Sequence, residues 1–426
     1  MSRVVVVGLG KTGIGSARLL AGQGETVLIS EIKSDGAIKN AAERLIKDNV
    51  VEMRNVELGS HTDRFIAQAK LMVVSPGVSN DSLAIKFAER RRIPIISELE
   101  LAYSACPAPI IAVTGTSGKT TVTTLIGEML RKAGRDAVVC GNIGNPLASE
   151  IKRLKKDSIV VLEASSFQLE RIKNFKPRAS IILNISENHL DRHRDMEEYI
   201  SSKLRVFLNQ DKHSFVFLNG KQTLLKEIAS AIKCRVEFFD KYRNFGKKYN
   251  IQNENYLAAM SMAWFEGVSE DVMLEVISKF RGIEHRLEHV ATINGVDFIN
   301  DSKATTVASV EWALKSIERN IVLIMGGRYK GGDFGRLKKF VQDKVDCIVA
   351  IGEARPHIKS GLRGTKDIIE KNDFDDAVRT AFKKARNGGR VLLSPGCSSF
   401  DMFKNYEERG RIFKELCSRL SLEHPP

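Results

Sequence analysis

The 426-residue chain has no apolar run approaching the roughly 18 to 20 residues needed to cross a bilayer, so no membrane insertion is expected. Six cysteines, at 106, 140, 234, 347, 397 and 417, form no C-x-x-C pair and no zinc-like spacing, and are expected as reduced thiols. The opening MSRVVVVGLG enters a strand at once, without the charged stretch, apolar segment and cleavage site of a secretory leader; a cytoplasmic location is expected. Aromatic residues make up only 7 %, and none interleaves the basic clusters RRR (90–92) and KRLKK (152–156). The net charge of +14 therefore reads as solvated faces rather than a nucleic-acid surface, and a positive chain suits small anionic substrates. Tandem repeats and low-complexity tracts are also missing.

What the sequence does contain is an alternation of short apolar strands with amphipathic helices: VVVVGLG, TVLIS, LMVVSPG, IPIIS, SIVVLEAS, ASIILNIS, IVLIMGG, CIVAIG and VLLSPG. Continuous Val/Ile/Leu runs ending in Gly or Ser mark buried parallel strands, so the fold class is α/β. This length exceeds what one core usually fills. Prolines in CPAP (106–109) suggest one boundary, and a second follows FRGIEHRLE (280–288), where VATINGVDFINDS reads as a hairpin around Asn294-Gly295. Three domains are expected, at about 1–105, 106–286 and 287–426.

Two glycine-rich loops stand out. GLGKTG places Gly8, Gly10 and Gly13 between a strand and a helix, a pattern that usually seats a dinucleotide diphosphate, with Glu31 ending the next strand. VTGTSGKTT (113–121) follows the strand PIIAVT and precedes the helical VTTLIGEMLRKAG. Backbone N–H groups and Lys119 there can cradle a phosphate, and Thr120 offers a hydroxyl to phosphate-bound Mg²⁺. Val113 replaces the first glycine of the longer phosphate-loop pattern, leaving a shortened GxxGKT. The first loop alone would suit a nicotinamide-linked dehydrogenase. A second, ATP-type loop has no task in such an enzyme, and a diphosphate on another nucleotide suits both.

Further chemistry-bearing residues fall at strand ends. Glu163 closes SIVVLE, and ASIILNIS runs into ENHLDRH with His189, both metal-capable at the edge where α/β ligands bind. Arg286 sits in HRLE, NDSKATT carries Asp301, Lys303 and Thr305, and Lys330 lies in the glycine-flanked GGRYKGGDF. Cys397 in SPGCSSFDMFKNYEERG has no evident base beside it and reads as a packing residue. Lys203, in SSKLRVF, reads from its surroundings as a surface helix lysine.

GTSGKTT, SENHLDRH, HRLE and NDSKATT, in this order, resemble the Mur ligase family. GLGKTG, SPGV (75–78), GNIG (141–144), EASSFQLE and SPGCSSFDMFKNYEERG resemble its D-glutamate-adding branch. The resemblance runs from residue 6 to about 413 and implies a Rossmann-like N-terminal domain, a central P-loop ATPase-like parallel-sheet domain and a Rossmann-like C-terminal α/β domain. It further implies a monomeric amide ligase with ATP and two Mg²⁺ as cofactors, and UDP-N-acetylmuramoyl-L-alanine and D-glutamate as substrates.

By matching motif, ATP falls to Gly115, Thr116, Ser117, Gly118, Lys119, Thr120, Thr121, Asn255, Arg286 and Asp301. Metal falls to Thr120, Glu163, His189 and Lys203, the last as a carbamylated lysine. The resemblance assigns Gly8, Thr12, Gly13, Ser75, Gly77 and Asn142 to the UDP-sugar, and Lys303, Thr305, Lys330, Ser399 and Phe400 to D-glutamate. Lys119, Glu163, His189, Lys203 and Lys303 would carry the catalysis. Three positions depart from the family pattern: Ser117 replaces Asn, Ile251 and Gln252 replace His-Asn before N-x-L-A-A, and Tyr406 replaces Phe. Other branches fit less well, since no DNPR-like segment occurs and folate ligases begin at the ATP domain.

Overall fold

The computed structural model describes residues 2–186, 193–329 and 331–424. It divides into two compact units, Met1–Phe280 and Arg281–Pro426. The first unit holds two parallel sheets. β1 (Arg3–Val7), β2 (Thr26–Glu31), β3 (Val56–Leu58), β4 (Leu71–Val74) and β5 (Ile95–Ser97) stand in the order β3-β2-β1-β4-β5. β6 (Ile110–Thr114), β7 (Ala137–Gly141), β8 (Ile159–Glu163), β9 (Ala179–Ile182), β10 (Phe215–Leu218) and β11 (Arg235–Phe238) stand in the order β11-β10-β9-β6-β8-β7.

The second unit is built on β12 (Glu288–Ile293), β13 (Val296–Asn300), β14 (Ile321–Gly326), β15 (Val345–Ile351), β16 (Asp367–Lys371) and β17 (Arg390–Leu393), ordered β12-β13-β17-β14-β15-β16. Only the β12–β13 pair in this sheet is antiparallel. Its turn is the expected Asn294-Gly295, whose φ values of 48° and 74° are the left-handed pair a two-residue hairpin requires.

Uninterrupted apolar strands follow from burial on both faces. Along β6, Ile111 and Val113 enter one core with Val122, Leu125 and Ile126 of the helix Lys119–Lys132. Ile110 and Ala112 face the opposite core with Leu162 and Phe175. Side chains alternate with period two, so covering both faces demands apolar residues at every position. β14 repeats this, with Leu323 and Met325 in one core and Val322 and Ile324 in the other. Polar positions mark the helix starts: Ser97, Asp195 and Asn405 each cap a first turn, accepting N–H from Glu100, Glu198 and Glu408.

The two sheets of the first unit are tied by buried polar contacts. Glu100 accepts N–H groups of Lys173, Asn174 and Phe175 at 2.9, 2.7 and 3.0 Å. Glu98 accepts from Gln168 Nε2 at 2.8 Å. Gln168 is itself fixed by a capping box with Ser165. In both units the strand order reverses beside a central strand, which opens a crevice beyond the carboxyl ends.

Candidate functional site

In the first sheet the order reverses between β1 and β4. Gly8 leaves β1 with φ 93°, and Ser75 leaves β4 with its hydroxyl donating to the Gly8 carbonyl at 3.1 Å. A Cβ on Gly13 would stand 1.8 Å from that same oxygen, so only glycine lets the helix Lys11–Gly22 start this close to the strand end. Gly8, Gly13 and Ser75 thus meet at one point, with Thr12 in the helix's first turn and Gly77 following Ser75. Glu31 is occupied differently from the ribose contact such folds usually show. Its carboxylate accepts the N–H groups of Leu9 at 2.7 Å and Lys33 at 2.9 Å, bracing the glycine loop.

In the second sheet β6 and β8 end at the other glycine-rich loop. Gly118, at φ 81°, caps the helix Lys119–Lys132, and a Cβ there would lie 2.2 Å from Asn255 Oδ1, so Asn255 packs directly on the loop. Ile251 is half-buried against the core instead of reaching toward the loop, and Gln252 is exposed. Lys119 Nζ donates to the carbonyls of Gly115 at 2.9 Å and Thr116 at 3.0 Å. Lys203 Nζ reaches the same Gly115 oxygen at 2.9 Å.

The helix Met196–Leu204 therefore carries a buried lysine, 2 % exposed, where its local sequence suggested a surface one. Burial holds the Lys203 amine well below the usual lysine range; the Lys119 charge lowers it further, and Glu163 opposes both. Glu163 is likewise buried. Its Oε1 accepts from Asn142 Nδ2 at 2.7 Å, while Oε2 has no partner among the described residues. Asn142, assigned by sequence to the UDP-sugar, here positions this carboxylate.

An orphaned buried carboxylate oxygen beside a phosphate-type loop suits a divalent cation, and Thr120, buried in the first helical turn, adds a hydroxyl. No three His, Cys, Asp or Glu side chains converge among the described residues, so such an ion would take few protein ligands and rely on phosphate oxygens and water. His189 lies outside the described residues.

Two residues at this site gave no sequence signal. Asn184, past the end of β9, accepts the Ser117 N–H at 2.9 Å and donates to the Ser117 carbonyl at 3.2 Å, fixing the loop from below. Tyr199 is buried with its hydroxyl 3.0 Å from Thr116 Oγ1 and its ring 4.6 Å from Lys203 Nζ. Their spacing from the loop in sequence conceals both contacts.

In the second unit, Asp301 leaves β13 buried, accepting the Ser394 hydroxyl at 2.7 Å and the Leu287 N–H at 3.3 Å; burial pushes its carboxyl up to about 7. Arg286 stands between two left-handed residues, His285 (φ 64°) and Leu287 (φ 44°), with its guanidinium 5.3 Å above the Trp312 ring. The loops of Lys303 and Ser399 are joined by the Gly396 N–H donating to the Ala304 carbonyl at 2.8 Å. Thr305 lies on the first of these loops. Ser399 is buried on the second, next to Phe400, which is 55 % exposed. Cys397 is buried in the core with Val310 and Met325, and burial pushes its thiol up to about 12, in keeping with a packing role. Lys330 lies outside the described residues.

Three family models match the chain: "Mur ligase MurD-like, N-terminal domain" over residues 2–97, "Mur ligase middle domain" over 113–281 and "Mur ligase, glutamate ligase domain" over 285–397. A relative from Caldicellulosiruptor bescii, named UDP-N-acetylmuramoylalanine–D-glutamate ligase, is 40 % identical, covering 98 % of this chain and 97 % of its own. One of the same name from Koribacter versatilis is 38 % identical and covers 98 % of each chain. Among solved structures, the UDP-N-acetylmuramate-alanine ligase MurC of Thermotoga maritima aligns at 18 % identity, TM-score 0.58, over 98 % of this chain and 100 % of its own. The MurF ligase of the same organism, in complex with ADP, aligns at 14 % identity, TM-score 0.59, over 97 % and 98 %. The structural likenesses support the α/β fold, and the sequence matches span the chain from end to end: it belongs to the Mur ligase family.

Proposed function

We propose that this chain is an ATP-dependent ligase that joins D-glutamate to UDP-N-acetylmuramoyl-L-alanine in the building of peptidoglycan precursors. The observation that carries the reading is the meeting of Lys119 and Lys203 on the Gly115 carbonyl, beside the half-orphaned carboxylate of Glu163. Two amines and a metal-ready acid at a phosphate loop suit a reaction that gathers negative charge. The relatives' shared name supplies the substrates.

In the proposed reaction the alanyl carboxylate oxygen attacks the γ-phosphorus of ATP, the bond to the bridging oxygen breaks and ADP leaves. The D-glutamate amine then attacks the acyl carbon, loses a proton, and phosphate departs with the carboxylate oxygen it received. Lys119 and the N–H groups of residues 115–121 hold the phosphates, with Asn255 packed on the same loop; Arg286 and Asp301 are assigned to ATP by the family motifs alone. Mg²⁺ on Thr120, Glu163 and His189 would supply charge neutralisation when bound. Gly8, Thr12, Gly13, Ser75, Gly77 and Asn142 take the UDP-sugar. Lys303, Thr305, Lys330, Ser399 and Phe400 take D-glutamate, whose two carboxylates suit two lysines.

Carbamylation of Lys203 is part of this reading. A neutral amine adds to CO₂ through a new N–C bond and sheds a proton, converting a cation into an acid-like ligand. The buried setting, which lowers the amine's pKa and so favours the neutral form, supports it. A cytoplasmic monomer of three domains, divided near 105 and 286, completes the proposal. The test is phosphate release from ATP with UDP-N-acetylmuramoyl-L-alanine, comparing D-glutamate, L-alanine, L-lysine and no amino acid. Release that needs both the UDP-sugar and D-glutamate supports the reading. Release with a different amino acid changes the substrate, and none at all overturns it.

A further inference from the structure

Arg409 is a fully buried arginine in the second unit, 0 % exposed, in the first turn of the helix Tyr406–Glu423. Its Nε donates to Ser302 Oγ at 3.0 Å and its Nη2 to the Ser302 carbonyl at 2.8 Å. Nη1 and Nη2 both reach the Cys397 carbonyl at 3.3 Å. Asp301 and Asp401 act on it through space, yet neither forms an ion pair with it among the described residues. Its direct hydrogen bonds thus run only to carbonyls and a hydroxyl, with the carboxylates of Asp301 and Asp401 offsetting its charge at longer range.

The two segments it grips are those that lead into the proposed amino-acid subsite. Ser302 precedes Lys303, and Cys397 lies two residues before Ser399. A third loop rests on the same group: a Cβ on Gly327 would stand 3.3 Å from Arg409 Nη1, and Arg328 N–H donates to the Ser398 carbonyl at 2.8 Å. Ser302 also donates its hydroxyl to the Tyr406 carbonyl at 2.8 Å, locking the helix start to the first loop. A flat fork of five donors can span carbonyls from two loops at once; a lysine ammonium cannot reproduce that geometry.

We propose that Arg409 is a positioning residue for the amino-acid subsite: one guanidinium sets the spacing of the Lys303 and Ser399 loops. This rests on the amino-acid reading of Lys303, Thr305, Ser399 and Phe400. The test is steady-state kinetics of Arg409→Lys, which keeps charge and loses the fork, and Arg409→Met, which keeps bulk and loses both. The expected result is a KM for D-glutamate raised about tenfold in Arg409→Lys and more in Arg409→Met, with KM for ATP and for the UDP-sugar within about twofold of wild type. Should neither arginine variant fold, Ser302→Ala, which removes the Nε partner together with the hydroxyl bond to the Tyr406 carbonyl and keeps the carbonyl contact to Nη2, is expected to raise the same KM about threefold. An unchanged D-glutamate KM, or all three KM values rising together, overturns the proposal. Wild-type protein showing no D-glutamate dependence overturns the subsite reading on which it rests.

Discussion

Replacing Gly13 by alanine sets two effects of known size against each other. The residue lies in the first turn of the helix Lys11–Gly22 with ordinary helical φ, where alanine is favoured over glycine by about 1 kcal/mol. Against this, the new Cβ would stand 1.8 Å from the Gly8 carbonyl oxygen and 3.2 Å from Ser75 Oγ. The nearer atom is backbone, so no rotamer change relieves the clash, and helix and strand end must part by more than about 1 Å. Overpacking of this kind costs roughly 1–3 kcal/mol. Disturbing the Ser75 to Gly8 hydrogen bond adds about 1 kcal/mol more. Gly13→Ala is therefore expected to lose about 1–3 kcal/mol. Gly22→Ala, at the exposed end of the same helix with nothing within 4 Å, should gain up to about 1 kcal/mol. Because the chain has more than one unit, urea unfolding should be followed through amide exchange of β1, which reports on this sheet. A Gly13→Ala variant as stable as Gly22→Ala would refute the reasoning, as would an unaltered KM for the UDP-sugar.

Glu98→Gln tests a pH effect. Burial raises the Glu98 carboxyl from its usual 4.5 to about 7, partly offset by the Gln168 hydrogen bond. The folded state thus holds a proton that the unfolded state releases, so stability falls as pH rises from about 4.5 to 7, by at most about 3 kcal/mol. The variant should flatten that slope in urea titrations at several pH values. Glu163→Gln removes the orphaned charge while keeping its size; phosphate release is expected to fall at least about a hundredfold with unfolding midpoints nearly unchanged. Asn184→Ala removes both contacts to the Ser117 backbone, each worth about 1 kcal/mol, so KM for ATP should rise about tenfold or more while KM for the UDP-sugar stays put.

Most of the buried strands were legible because both faces of each sheet are covered, which leaves Val/Ile/Leu runs in the sequence, although the short buried AVVCG of β7 and FVFL of β10 were not read as strands. β11 and β16 escaped notice because, at sheet edges, their residues are exposed or only half-buried and mixed with charge, as in RVEF and DIIEK. The glycine loops and Glu163 were readable because the chemistry sits at strand ends, in local patterns. Lys203 was readable only through the resemblance. Nothing in SSKLRVF tells that Gly115, distant in sequence, caps its amine in a buried pocket. Asn184, Tyr199 and Arg409 share that cause, since each acts through contacts between segments far apart in the chain.

The most direct test of the proposed chemistry uses UDP-N-acetylmuramoyl-L-alanine carrying a heavy-oxygen label in the alanyl carboxylate, incubated with ATP and D-glutamate, with the released phosphate weighed by mass spectrometry. Transfer through an acyl phosphate predicts one labelled oxygen in each phosphate, appearing in step with the amide product. Unlabelled phosphate alongside amide product would contradict it.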